Sequence, residues 1–110
     1  KVATLPAKFV VTNVLMAVDT AETALTALTG AVGRTGATYI DYVVASNLKA
    51  AANTVYGNAA AERGTNLTGY DLPNYTGTTT VFCHFISTGA NLDTVTGSTG
   101  RVILTTRLMP

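Results

Sequence analysis

Residues 100–109 read GRVILTTRLM, the most regular alternation in the chain. Val102, Leu104, Thr106 and Leu108 fall on one side of an extended backbone, and Arg101, Ile103, Thr105 and Arg107 on the other. Successive side chains of a β-strand point to opposite faces, so the pattern predicts a sheet strand with one wet face. Val102, Leu104 and Leu108 are expected in the core, with Arg101 and Arg107 outside.

Other segments extend this reading. Residues 79–88, TTVFCHFIST, predict a strand that places Val81, Cys83 and Phe85 on one face. Residues 7–18, AKFVVTNVLMAV, are dense in β-branched and apolar types and predict a long strand. Its two faces are Phe9, Val11, Leu15 and Ala17, and Val10, Val14, Met16 and Val18. Residues 37–45, ATYIDYVVA, predict a further strand, with Tyr39, Asp41 and Val43 opposite Ile40, Tyr42 and Val44. Residues 19–30 stay open between a short helix and an irregular strand plus turn. Asp19 and Glu22 have the spacing of a capping box there, whereas threonines recur at every third position. Gly30, Gly33 and Gly36 are expected to punctuate a loop around Arg34. Residues 46–63 are Ala-rich, with Ser46 placed to cap, Gly64 to terminate, and a stripe of Leu48, Ala52, Val55 and Ala59. They predict a helix. Residues 64–78 and 89–100 carry loop chemistry. The sum is a mainly β chain, an antiparallel β-sandwich of jelly-roll-like type. Its strands run at about 8–18, 37–45, 79–88 and 100–109, with one short helix around 47–63, in a single domain over residues 1–110.

Composition narrows the function classes. The chain has 110 residues, one domain's worth, and 47% of them are hydrophobic, which argues against disorder. Charged residues make up 12%, about half the usual share, and the net charge is +1 with scattered basic residues. A nucleic-acid partner is therefore not expected. Twenty-one threonines and seven asparagines supply the polarity instead. Such a surface carries little charge that would need desolvating when another protein covers it. No run is apolar enough for a membrane span, so no membrane partner is expected. The chain begins at Lys1 rather than Met, which reads as processing, trimming or excision from something longer. Residues 1–30 lack the unbroken apolar stretch of a signal peptide.

Little in the sequence signals catalysis. The one cysteine and one histidine, Cys83 and His84, are neighbours, so on a strand they point to opposite faces and cannot act as a nucleophile–base pair. The six carboxylates, Asp19, Glu22, Asp41, Glu62, Asp71 and Asp93, show no paired spacing of the glycosidase kind. Asp19 and Glu22 read as caps, Asp71 beside Pro73 as turn chemistry, and Asp93 with Asn91 lacks the density of a calcium loop. Gly30, Gly33 and Gly36 do not match a phosphate-binding fingerprint. Asn66 and Asn74 head glycosylation sequons that an Asn- and Thr-rich chain yields by chance. No enzyme, no catalytic or metal residue and no cofactor is expected. The candidate contact loop is Tyr70, Leu72 and Tyr75, which can pin the loop to the domain, stack on a sugar or anchor a protein.

Three stretches carry a resemblance: KFVVTNVLMAVDTAETALT at 8–26, GRTGATYIDYVVAS at 33–46, and VFCHFISTGANLDTVTGSTGRVILTTRLM at 81–109. In their order and composition they resemble small bacteriophage virion β-sandwich proteins, found as head-decoration, cement or fibre-like modules. Residues 47–63 stand outside that pattern. The resemblance implies a structural virion component at the capsid or tail surface, partnered by copies of itself as a trimer and by other virion proteins. The alternative is an extracellular binding module, either a carbohydrate-binding β-sandwich or a fimbrial or surface-layer subunit.

Overall fold

The structure is a computed structural model that describes residues 1–34, 40–64, 77–95 and 97–110. Among the described residues seven strands form: β1 (Ala3–Leu5), β2 (Phe9–Thr20), β3 (Ala27–Gly33), β4 (Val43–Asn47), β5 (Val55–Tyr56), β6 (Thr79–Thr88) and β7 (Thr99–Leu108). They build two antiparallel sheets, one ordered β1-β6-β3-β4 and the other β5-β2-β7. The chain passes repeatedly from one sheet to the other, so most neighbours in a sheet are distant in sequence.

β2 is the axis of the smaller sheet. It pairs with β7 from Phe9↔Leu108 to Thr20↔Thr99, with register shifts at Thr12 and Asp19, each an extra residue facing no partner. Such a bulge reverses the side-chain alternation on either side of it. The shift at Thr12 therefore brings Val11 onto the face of Val14, Met16 and Val18, and these four enter one core with Leu25, Leu28, Val32, Tyr42, Val43, Leu48 and Val81. Strict alternation had set Val11 with Phe9, Leu15 and Ala17, and the bulge is the reason it does not hold. The Thr12 hydroxyl, freed from the ladder, donates to the Thr105 carbonyl at 3.1 Å.

β7 keeps its predicted alternation over most of its length. Val102 and Leu104 pack partly buried against the core, while Arg101 and Arg107 are exposed. Leu108 departs from expectation at 62% exposed. The last rung of the core cluster on this side is Val11 opposite Thr106, and Leu108 lies two rungs beyond it, opposite Phe9.

The expected helix over 47–63 does not form. The segment is a chain of turns, with the short β5 and a 3₁₀ turn at Ala60–Glu62. Its asparagines and threonines satisfy backbone groups locally, the competition that disfavours such residues inside helices. Asn47 Oδ1 accepts from the Lys49 amide, Thr54 donates to the Ala51 carbonyl, and Asn53 adopts a left-handed φ of 70°. The Asn53 amide donates to the Val18 carbonyl, and the Val18 amide donates to Thr54, fastening the segment to β2. β5 then pairs Tyr56 with Met16 and Val55 with Ala17.

The strand expected at 37–45 starts later, as β4; residues 37–39 lie outside the described residues. Asp41 instead accepts a hydrogen bond from the Arg34 amide at 2.8 Å. Tyr42 and Val43, expected on opposite faces, are both completely buried. The open question at 19–30 resolves as strand and turn. β2 runs on to Thr20, a turn capped by Glu22 follows, and β3 begins at Ala27. Gly30 and Gly33, expected in a loop, belong to β3. A Cβ on Gly30 would lie 2.5 Å from Leu48 Cδ1 and 3.2 Å from Met16 Sδ, so the missing side chain leaves room for Leu48 in the core.

Candidate contact surfaces

Between β6 of the larger sheet and β7, an edge strand of the smaller one, a cleft of about 490 Å³ opens. Met16 and Val18 of β2, Leu28 of β3, Cys83 and Phe85 of β6, and Val102 of β7 supply its apolar wall. Lys1, Thr20, Glu22 and Arg101 contribute polar groups to its lining. The alternation of β6 explains the division of labour along that strand. Cys83 and Phe85 turn into the cleft, while His84 and Ile86 turn to the opposite face and line a smaller groove of about 400 Å³ with Ala31, Ile40 and Val44. The adjacent cysteine and histidine are thus held on opposite faces, as the strand reading requires.

Burial pushes the Cys83 thiol up to about 11, so it stays protonated at neutral pH and behaves as a small apolar group. Glu22 is 4% exposed and committed to its own turn: Oε1 accepts from the Ala24 and Leu25 amides, the latter at 2.9 Å, and Oε2 from Leu25 at 3.1 Å. The cap expected of Glu22 is therefore present. Asp19 does not share it and pairs with Arg101. Glu62 accepts from the Gly57 and Ala59 amides, and Asp41 from Arg34. These carboxylates serve backbone turns and one ion pair rather than a common site. Among the described residues no group of three or more His, Cys, Asp or Glu is placed to hold a metal ion.

Tyr70, Leu72 and Tyr75, the expected contact loop, lie outside the described residues, as do Asp71 and the sequon asparagines Asn66 and Asn74. The surface that the structure does describe is apolar in an unusual place. Phe85 (46%), Ile86 (53%) and Ile103 (43%) are exposed on strands rather than on loops. Sequence reasoning missed the cleft because its walls come from strands of both sheets. The one local signal was Phe85 continuing the inward alternation of Val81 and Cys83. Comparison with protein families, curated proteins and solved structures gives no match to this chain. Among the described residues no helix is long and apolar enough to cross a membrane.

Proposed function

We propose that this chain is a structural virion protein, a cement, decoration or spike-type component at a capsid or tail surface. In this reading its two sheets pack face to face as a sandwich of jelly-roll type, and its work is contact with copies of itself and with other virion proteins. The observation that carries it is the exposure of Phe85, Ile86, Ile103 and Leu108 along strands on a chain with only 12% charged residues. Large apolar side chains on a rigid sheet are the kind of anchors that protein–protein interfaces bury at their centres. The surrounding threonines cost less to cover than charges do. No catalytic residue and no cofactor enter this reading. The three-fold arrangement comes from the family resemblance alone.

Sedimentation of intact particles tests it. The chain is expected to travel with a large shell in fixed stoichiometry and to be released only when the shell is dissociated. Recovery of the chain wholly outside such particles overturns the reading. A binding module is the second reading, favoured by the cleft, whose volume lies in the range of small-ligand sites. Saturable binding on a glycan array, lost in Tyr70→Ala or Tyr75→Ala, would select it.

A further inference from the structure

Among the described residues, one residue of a type ill-suited to it holds a left-handed backbone. Lys8 has a φ of 69°; Asn53, at 70°, belongs to a type that tolerates this region, and the other positive values are glycines. A lysine there brings its Cβ against the carbonyl that follows. Its side chain is exposed and buries nothing that would offset the strain. Lys8 is the third residue of the turn Pro6–Phe9, a position where positive φ favours glycine or asparagine. The bond that closes the turn, from the Phe9 amide to the Pro6 carbonyl, is long at 3.4 Å.

This turn carries the chain from one sheet to the other. β1 lies beside β6 in the larger sheet, and β2 is the middle strand of the smaller one. The Met109 amide donates to the Lys8 carbonyl at 2.7 Å, so β2 is held beside β7 as far as that carbonyl. The direction of β1 therefore hangs on the torsions just upstream, the φ of Lys8 first. With that φ at an ordinary extended value, β1 continues the line of β2. Thr4 then stands roughly 17 Å past Phe9 at the usual rise per residue. That is beyond the end of its own two sheets and out of reach of its own β6.

We infer that copies of the chain exchange β1: the strand leaves its own β6 and pairs with the partner's β6, with Lys8 as the hinge. This deepens the reading above, in which copies contact one another, by naming the segment that joins them. In the partner's sheet β1 keeps its register. Ala3 stands opposite the partner's Val81, Thr4 opposite the partner's Thr80 and Leu5 opposite the partner's Thr79, and Leu5 packs against the partner's core as it does against its own. Only the hinge changes: the turn bond is lost and the left-handed strain is relieved, once in every copy. Pro6 suits the opened link, since it has no amide to leave unpaired and its fixed φ fits an extended chain. Short hinges under strain favour such exchange. The contacts of β1 with β6 cancel between the two states, so the balance does not depend on how much chain β1 carries with it. Association opposes the exchange at low concentration. The expected product is a closed ring of copies, a pair at its smallest, that grows in as concentration rises.

Mixed disulfides test the inference. In a Cys83→Ala background, chains carrying Thr4→Cys are refolded at millimolar concentration with chains carrying Thr80→Cys and then oxidised. Exchange sets the two cysteines opposite each other across chains, within disulfide reach, and a covalent pair is expected. Thr4→Cys with Thr88→Cys is expected to give none, because Thr88 lies roughly 26 Å along β6 from Thr80. Sedimentation velocity reads the hinge. Lys8→Gly is expected to raise the dissociation constant roughly thirtyfold or more, since the strain disappears from both hinges of a pair. Lys8→Val, β-branched and ill-suited to positive φ, is expected to lower it, and both variants keep the native circular dichroism spectrum. A lysine that mattered to the turn alone would change stability without moving association. Absence of the mixed disulfide, or association indifferent to Lys8→Gly, overturns the inference; self-association of the native chain in that case leaves the homo-oligomer of the proposed function standing. A native chain monomeric throughout, with no mixed disulfide, overturns both. If Lys8→Val fails to fold, the mixed disulfide and Lys8→Gly decide.

Discussion

Arg101 holds the carboxylate of Asp19 with two nitrogens: Nε lies 3.1 and 2.9 Å from Oδ1 and Oδ2, and a terminal nitrogen lies 2.9 Å from Oδ1. The pair exists because Asp19 is the extra residue where β2 slips against β7 between Val18 and Thr20. The carboxylate holds the guanidinium in its charged form, raising its proton affinity through the hydrogen bond first and the charge second. The Arg101 side chain is 66% exposed, so solvent screens most of this attraction. Asp19→Asn is expected to lower the melting temperature by a few degrees at most, with the difference shrinking as salt is added.

Glu22 is a stronger case, because its oxygens serve amides inside a buried turn. Glu22→Ala leaves the Ala24 and Leu25 amides without acceptors and is expected to destabilise the chain by about 1–3 kcal/mol. Chemical denaturation measures it, and a loss no greater than that of Asp19→Asn would show the cap to be idle.

Two leucines mark the limit of the core. Leu25 is 2% exposed and Leu108 is 62% exposed. Leu25→Ala is expected to cost about 2–5 kcal/mol, and Leu108→Ala to fall within about 0.5 kcal/mol of the parent. Equal losses would return Leu108 to the core that simple alternation assigns it.

Gly57 combines a φ of +106° with a Cβ position only 2.3 Å from the Val14 carbonyl oxygen. Gly57→Ala meets both left-handed strain, worth about 1–3 kcal/mol, and a backbone clash that no rotamer relieves. Its unfolding midpoint is expected well below that of the parent, and detaching β5 from β2 is the simplest way for the fold to relax.

The thiol of Cys83 gives the stability a pH dependence. Its acidity is pushed from the ordinary 9.0 to about 11 by burial, so the unfolded chain loses this proton first as pH rises. Between about pH 9 and 11 the folded state binds more protons than the unfolded one, and stability falls across that window. Cys83→Ala is expected to remove this component of the alkaline decline, as a melting series at rising pH can show. Alkylation of the native thiol at pH 8 is expected to be much slower than that of the unfolded chain.

Strand content was legible where alternation was clean. Residues 79–88 were read with the bounds that β6 takes, and residues 100–109 came within one residue of β7 at each end. Bulges were not legible, because the extra residue at Thr12 or Asp19 leaves no mark in composition and shows only against the partner strand. The Ala-rich stretch misled for a related reason. Its helical stripe offered little apolar area, and its asparagines and threonines found closer partners in turns and along β2. Gly30 looked like loop punctuation because the need for a missing side chain there comes from Leu48 and Met16, which no local window includes. The cleft joins the two ends of the chain in the same way: Lys1 and Val2 line it together with residues 98–102.

The separation of β2 from β7 in sequence has a consequence for how the chain reaches this state. β2 emerges well before its main ladder partner, which is completed only at Leu108. Pairing at such separation demands closure of a long loop before any contact repays it, which slows folding. Until then β2, with its run of Val10, Val11, Val14 and Met16, is a bare apolar strand able to pair with the wrong neighbour. A chain truncated before residue 99 is therefore expected to aggregate rather than to form a smaller version of the fold. Refolding of the chain through Pro110 should become less efficient as its concentration rises.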